Sequence, residues 1–304
     1  MPQNMFNSID PYTMQILVNI GIGIILALGL NIIVGLTGQL SLGHAAFMSV
    51  GAFTGALLTI KTGIPFSLTI LLSGLITAAV AAAIGWPILR LTGDYLAICT
   101  LGFAEIVKVV FLNLDITNRA LGLTVPTPKT DLSMPVIVLV VVCLTIIASA
   151  FIQNSRFGRA LKAIRDDEIA AESMGINIAR YKVQSFAVSA FMAGTGGCLY
   201  GHFLGYINPS DFGFLKSIDM LSMIVLGGLG SIPGAVFGAS LLSAAPEFLR
   251  FMSQYRMLVY GALLVFLMVF RPNGLLGGID FTGLVLRKLG IKPRGAAHKQ
   301  EGSK

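Results

Sequence analysis

Long unbroken apolar runs constrain this chain more than any other feature. Met14 to Leu36 and Met134 to Ile152 carry almost no polar interruption. A membrane-spanning α-helix needs about 20 predominantly apolar residues. A strand of a membrane barrel instead alternates apolar and polar over ~10 residues. The runs are continuous and of helix length, and only a helix of that length satisfies its own backbone in lipid. Composition agrees: 55% of residues are hydrophobic and 12% are charged. A soluble domain carries about 25% charged residues, so this chain cannot coat a soluble globule. Its hydrophobicity equally excludes a disordered chain. The expected fold class is all-α, a polytopic membrane helix bundle of about eight or nine apolar segments.

The segments read at 14–36, 42–60, 64–89, 95–114, 134–152, 183–207, 214–230, 232–250 and 255–270. The stretches 14–60 and 214–250 read either as full crossings or as re-entrant, discontinuous helices, because only short polar or glycine-rich breaks divide them. Residues 1–13 form a short N-terminal segment, 14–277 the transmembrane domain and 278–304 a basic tail. Residues 1–13 contain no Lys or Arg, so no cleavable signal peptide is expected.

Basic residues set the orientation. The 153–182 loop holds Arg156, Arg159, Lys162, Arg165, Arg180 and Lys182. The tail holds Arg271, Arg287, Lys288, Lys292, Arg294, Lys299 and Lys304. Cytoplasmic loops of membrane proteins are enriched in Lys and Arg, so both regions are expected inside. The 115–133 loop and the N-terminus are then outside. This clustering also accounts for the formal charge of +7 without nucleic acid, since attraction to anionic lipid suffices for the tail.

No enzyme constellation is present. No Lys follows a Gly, so there is no phosphate-binding GxxxxGK[ST] loop. The histidines, His44, His202 and His298, and the cysteines, Cys99, Cys143 and Cys198, show no metal-ligand or redox spacing. No cofactor or metal is expected. Glu105 with Lys108, and Glu247 with Arg250, sit three residues apart and read first as internal pairs on a helix face.

Two kinds of feature can carry function. In the basic loop, Asp166, Asp167 and Glu168 favour a helix start, and Gly175 fits a helix stop. A short helix over about 167–174 is expected, with Ala170, Ala171 and Met174 as a small apolar face. It suits insertion into the groove of a soluble partner; an ordinary solvated loop helix explains it equally. The second feature is a pair of glycine-rich breaks, Gln39, Ser41, Gly43 and His44 in the first, and Gly227, Gly228, Gly230 and Ser231 in the second. A helix start inside a membrane offers free N–H groups to a carboxylate. Close glycine packing between helices is the competing reading.

The string Glu168-Ile-Ala-Ala-Glu-Ser-Met-Gly175 resembles the EAA loop of ABC-importer permeases. With Gly158-Arg-Ala-Leu-Lys-Ala-Ile-Arg-Asp-Asp-Glu168, it is similar to the LivM type of branched-chain amino acid permease. Three further blocks agree in order: Gly29–Phe47, Val225–Gly238 and Phe270–Leu276. The resemblance spans about residues 14–277. It implies a permease subunit without enzymatic activity, in a bacterial cytoplasmic membrane. Its implied partners are a second related, LivH-like permease, two cytoplasmic ATP-binding subunits and an external substrate-binding protein. Arg159, Arg165, Asp166, Asp167, Glu168, Ala170, Ala171 and Gly175 would then dock the ATPase, and the two breaks would line the pathway. The implied substrates are branched-chain or related amino acids; the same importer type also carries urea and short-chain amides. A stand-alone channel or secondary transporter is the rival of another class. One departure concerns Thr117-Asn-Arg-Ala-Leu-Gly-Leu123, where the family has Thr-Gly-Gly before Gly-Leu; both of those glycines are replaced.

Overall fold

A computed structural model describes residues 11–89, 91, 93–126, 133–248 and 261. Ten α-helices occur among them: α1 (Pro11–Asn31), α2 (His44–Thr62), α3 (Phe66–Ile88), α4 (Asp94–Asn113), α5 (Met134–Asn154), α6 (Arg156–Asp166), α7 (Glu168–Ser173), α8 (Ile178–Leu204), α9 (Phe214–Gly227) and α10 (Ile232–Phe248). A π-helical turn, Ile32–Leu36, extends α1. A two-residue antiparallel ribbon pairs β1 (Leu123–Thr124) with β2 (Tyr206–Ile207). This ribbon marks the end of the bundle opposite α6 and α7, because α8 runs from one to the other.

The bundle is built around α8, which packs most extensively on α2 and α3. Its inner face is Ser185, Ser189, Ala190, Ala193, Gly194, Gly197 and Gly201, all buried. Facing it, α3 presents Thr69, Ser73, Thr77 and Ala81 at a spacing of four, one stripe of a helix. The Ser73 hydroxyl donates to the Gly51 carbonyl at 2.7 Å and the Gly194 carbonyl at 3.3 Å. Small residues let backbones approach, and hydroxyls bridge helices where lipid supplies no hydrophobic drive. The outer helices show the inverse pattern. On α5 the inward stripe is Val138, Val142, Thr145 and Ser149. Leu139, Val140, Leu144, Ile147 and Phe151 point outward. Large apolar residues outside and small or polar ones inside are what a lipid solvent demands.

Five helices among the described residues are long and apolar enough to cross a membrane on their own: Tyr12–Leu36, α2, α3, α4 and α5. The expected eight or nine segments are therefore not confirmed. At 27 residues α8 has the length, but its glycines and hydroxyls lower its apolarity. α9 and α10 have 14 and 17 residues. Apart from Gly261, the 255–270 segment lies outside the described residues, as do the basic tail, Arg250, the Phe270–Leu276 block, residues 1–10 and Lys129. The 153–182 stretch is also more structured than its reading as a loop, since α6 was not anticipated. Gly158, Leu161 and Ile164 form its buried face.

Candidate functional site

The short helix in the basic loop is present as α7. Asp167 is its N-cap, accepting from the N–H groups of Ile169 and Ala170 at 2.9 and 3.0 Å. Asp166 instead closes α6. Gly175 ends α7 with φ +81°, a left-handed conformation that favours glycine. Lys182 of α8, buried, donates to Glu168 at 2.6 Å and ties α7 to the bundle. The face differs from the expected one: Ala171 is 4% exposed and turns inward, while Ile169 and Met174 are 79% and 83% exposed. Ala170 is exposed as well. Arg159 donates to the Asn154 carbonyl at 3.0 Å on the α6 surface. A groove lined by Trp86, Glu172, Ile176 and Val183 runs beside α7.

The structure ties the second break to the end of α1. Asn31, 4% exposed, accepts from the Gly230 N–H at 2.8 Å and donates to the Ser231 carbonyl at 3.5 Å. Gln153 at the end of α5 donates to the Gly230 carbonyl at 3.2 Å. Arg165 of α6 donates to the Gly35 carbonyl at 2.6 Å. The end of α1 thus joins the Gly230 break to the loop carrying α7 in one hydrogen-bonded unit. Gly227 and Gly234 face each other so closely that a Cβ on either would meet the other's backbone. In Ser231, the hydroxyl caps α10 by accepting from Gly234 N–H at 3.2 Å, and Gly228 takes φ +115° between the helices.

Residues 38–43 are an unwound stretch entering the bundle, and Thr37, Gln39, Ser41 and His44 are buried. α2 therefore starts inside the bundle. N–H groups just before and within its first turn are engaged: Thr100 accepts from Leu42 at 3.0 Å and Ser217 accepts from Ala45 at 3.2 Å. The Ser41 hydroxyl accepts from Gly43 at 3.5 Å, and Gly43 lies against the Thr100 carbonyl. The Gln39 amide makes no hydrogen bond among the described residues. His44 makes none of ordinary geometry, although the Leu26 carbonyl lies within electrostatic reach.

Two charged residues escaped the sequence reading. Lys216 and Asp219, near the start of α9, line a cavity of about 420 Å³ at the ribbon end of the bundle. Their spacing of three inside an apolar run was the available signal, the same one that singled out Glu105 and Lys108. That other pair closes at 3.2 Å. In the ribbon-end loop, Asn118 and Arg119 adopt φ +60° and +54°, so left-handed backbone sits where the resembling family has its two glycines.

Comparison with known proteins follows the same lines. The family described as branched-chain amino acid transport system, permease component, matches residues 12–268. The high-affinity branched-chain amino acid transport system permease protein LivM of Salmonella typhimurium is 39% identical over 301 residues, covering 88% of this chain and 70% of that protein. LivM of Escherichia coli is 39% identical over 285 residues, covering 83% and 67%. The permease protein LivH of Salmonella typhimurium is 28% identical over 279 residues, covering 83% and 90%. No solved structure matches. With the family's match covering most of a helical membrane bundle and identity to LivM this high, the chain belongs to the permease components of branched-chain amino acid transport systems.

Proposed function

We propose that this permease subunit imports branched-chain amino acids across a bacterial cytoplasmic membrane, driven by ATP hydrolysed on separate chains that dock on α7. The carrying observation is α7 itself. It is capped at both ends and tied down by Lys182, yet it holds Ile169 and Met174 out of the bundle. Covering each such side chain is worth about 1.5–3 kcal/mol, a gain forgone unless another surface covers them. The neighbouring Arg165 contact to Gly35 gives a pull on α6 and α7 a route through the end of α1 to the Gly230 break. A channel or gradient-driven carrier has no need of such a projecting helix. The complex would also contain a LivH-like second permease and an external binding protein. The α7 end faces the cytoplasm, and the ribbon end and N-terminus face outward. The pathway passes the breaks at Ser41–His44 and Gly228–Ser231, where Thr100 and Ser217 hydroxyls hold the helix N–H groups until a substrate carboxylate replaces them.

The test is the double variant Ile169→Asp, Met174→Asp, read by ATPase co-purification and ATP-driven leucine uptake. Loss of two buried apolar contacts should weaken ATPase binding by tenfold or more, since about 1.4 kcal/mol is tenfold. The melting temperature should stay that of the wild type, because both positions are exposed. Wild-type ATPase affinity in this variant removes the docking role of α7.

A further inference from the structure

The ribbon-end cavity has an unusual division of chemistry. Asn19, Tyr200, Lys216 and Asp219 supply its polar wall, and Leu26, Met48 and Met220 belong to its apolar wall. Its volume, about 420 Å³, falls among small-molecule sites. Lys216 and Asp219 lie one turn apart on the same face of α9. They form no ion pair, in contrast to Glu105 and Lys108 at identical spacing. The Lys216 ammonium sits 5.3 Å above the Tyr200 ring. Asp219 makes no hydrogen bond or ion pair among the described residues. Charges in membrane segments are expensive and mark function or a partner. Here two opposite charges within electrostatic reach of each other, with Asp211 also acting on Lys216, stop short of an ion pair and line a shared cavity.

We propose that this cavity is a transient binding site for a zwitterionic α-amino acid with an apolar side chain. Lys216 receives the carboxylate, Asp219 receives the α-ammonium, and the methionine and leucine wall receives the side chain. The pair is net neutral, so it traps neither anions nor cations; it recognises a molecule that carries both charges on adjacent atoms. A short-chain amide or urea would gain neither ionic contact. The cavity lies between the middle of α1, the first turns of α2 and α9 and the ends of α8 and α10, and α9 leads from it to the Gly228 break. Substrate handed over at the ribbon end would therefore meet this site first. The inference rests on the permease reading and deepens it by placing the substrate's carboxylate and ammonium against named residues.

The experiment uses the complete transporter in proteoliposomes with its loaded binding protein, radiolabelled leucine and, separately, radiolabelled acetamide. Lys216→Met and Asp219→Asn should each lower leucine carried per ATP hydrolysed by about tenfold, the scale of a hydrogen bond to a charged group. Lys216→Arg, which keeps the charge, should restore most of that ratio where Lys216→Met loses it. Variants that transport leucine at the wild-type ratio, or whose losses merely follow the amount of assembled complex, overturn the site and leave the permease reading standing. A wild-type transporter that carries acetamide and no leucine overturns both.

Discussion

Removing Asn31 should loosen the second helix break at Gly230. The Asn31→Ala change deletes the acceptor for the Gly230 N–H at 2.8 Å and a bond to Ser231 at 3.5 Å, the latter too long to count for much. Losing one good bond and leaving a part-buried N–H unpaired costs about 1–2 kcal/mol. Gln153→Ala removes the 3.2 Å bond to the Gly230 carbonyl, worth about 1 kcal/mol. Both side chains restrain one residue, so their effects should not add. Once either is gone, Gly230 is freer and the remaining bond is worth less. The double variant should cost at least about 0.5 kcal/mol less than the two singles combined, a coupling normal for residues in one network. Thermal melting of the purified transporter reads this, each kcal/mol moving the midpoint by about 2–4 °C in a chain of this size. Strict additivity would refute the shared restraint, and an Asn31→Ala transporter that melts like wild type would refute the Asn31–Gly230 restraint altogether.

At Asn118, with φ +60°, a change to Gly should be nearly neutral in melting, whereas Asn118→Val should cost about 1–2 kcal/mol, because a β-branched side chain collides with left-handed backbone; equal melting of the two variants would contradict that conformation. For orientation, single cysteines at Ser133 and Ser155, which flank α5, should react with an impermeant reagent added outside only at Ser133, in a background free of Cys99, Cys143 and Cys198; labelling only at Ser155 inverts the topology.

Much of the fold was legible because the lipid solvent imposes a length and an apolarity that show directly in the residues. α3, α4 and α5 lie within a few residues of the expected segments. The α7 cap was legible for a local reason: Asp167 and Gly175 act on backbone within three residues of themselves. The orientation of α7 was not, since which side of a six-residue helix meets the bundle depends on Lys182, fourteen residues away. Ala171 was accordingly assigned to the outer face and lies on the inner one. The expected segment count is not confirmed: α8, α9 and α10 lie on expected segments but fall short of the apolarity or the length of a helix that crosses alone. A central helix such as α8 is solvated by other helices, so small and hydroxylated residues replace apolar ones there.

What the sequence determined by itself was the class of solvent, the helical architecture, the capped helix in the basic loop and, through ordered motifs, the transporter family. These depend on local periodicity and on residues close together in the chain. Only the tertiary structure decided that Asn31 spans 199 positions to hold Gly230, that Arg165 reaches Gly35, and that Lys216 and Asp219 stand open in a cavity where Glu105 and Lys108 close on each other. An i,i+3 spacing places two charges on one face, but what packs against that face determines whether they meet. That information lies in how five helices converge, and no window along the chain contains it.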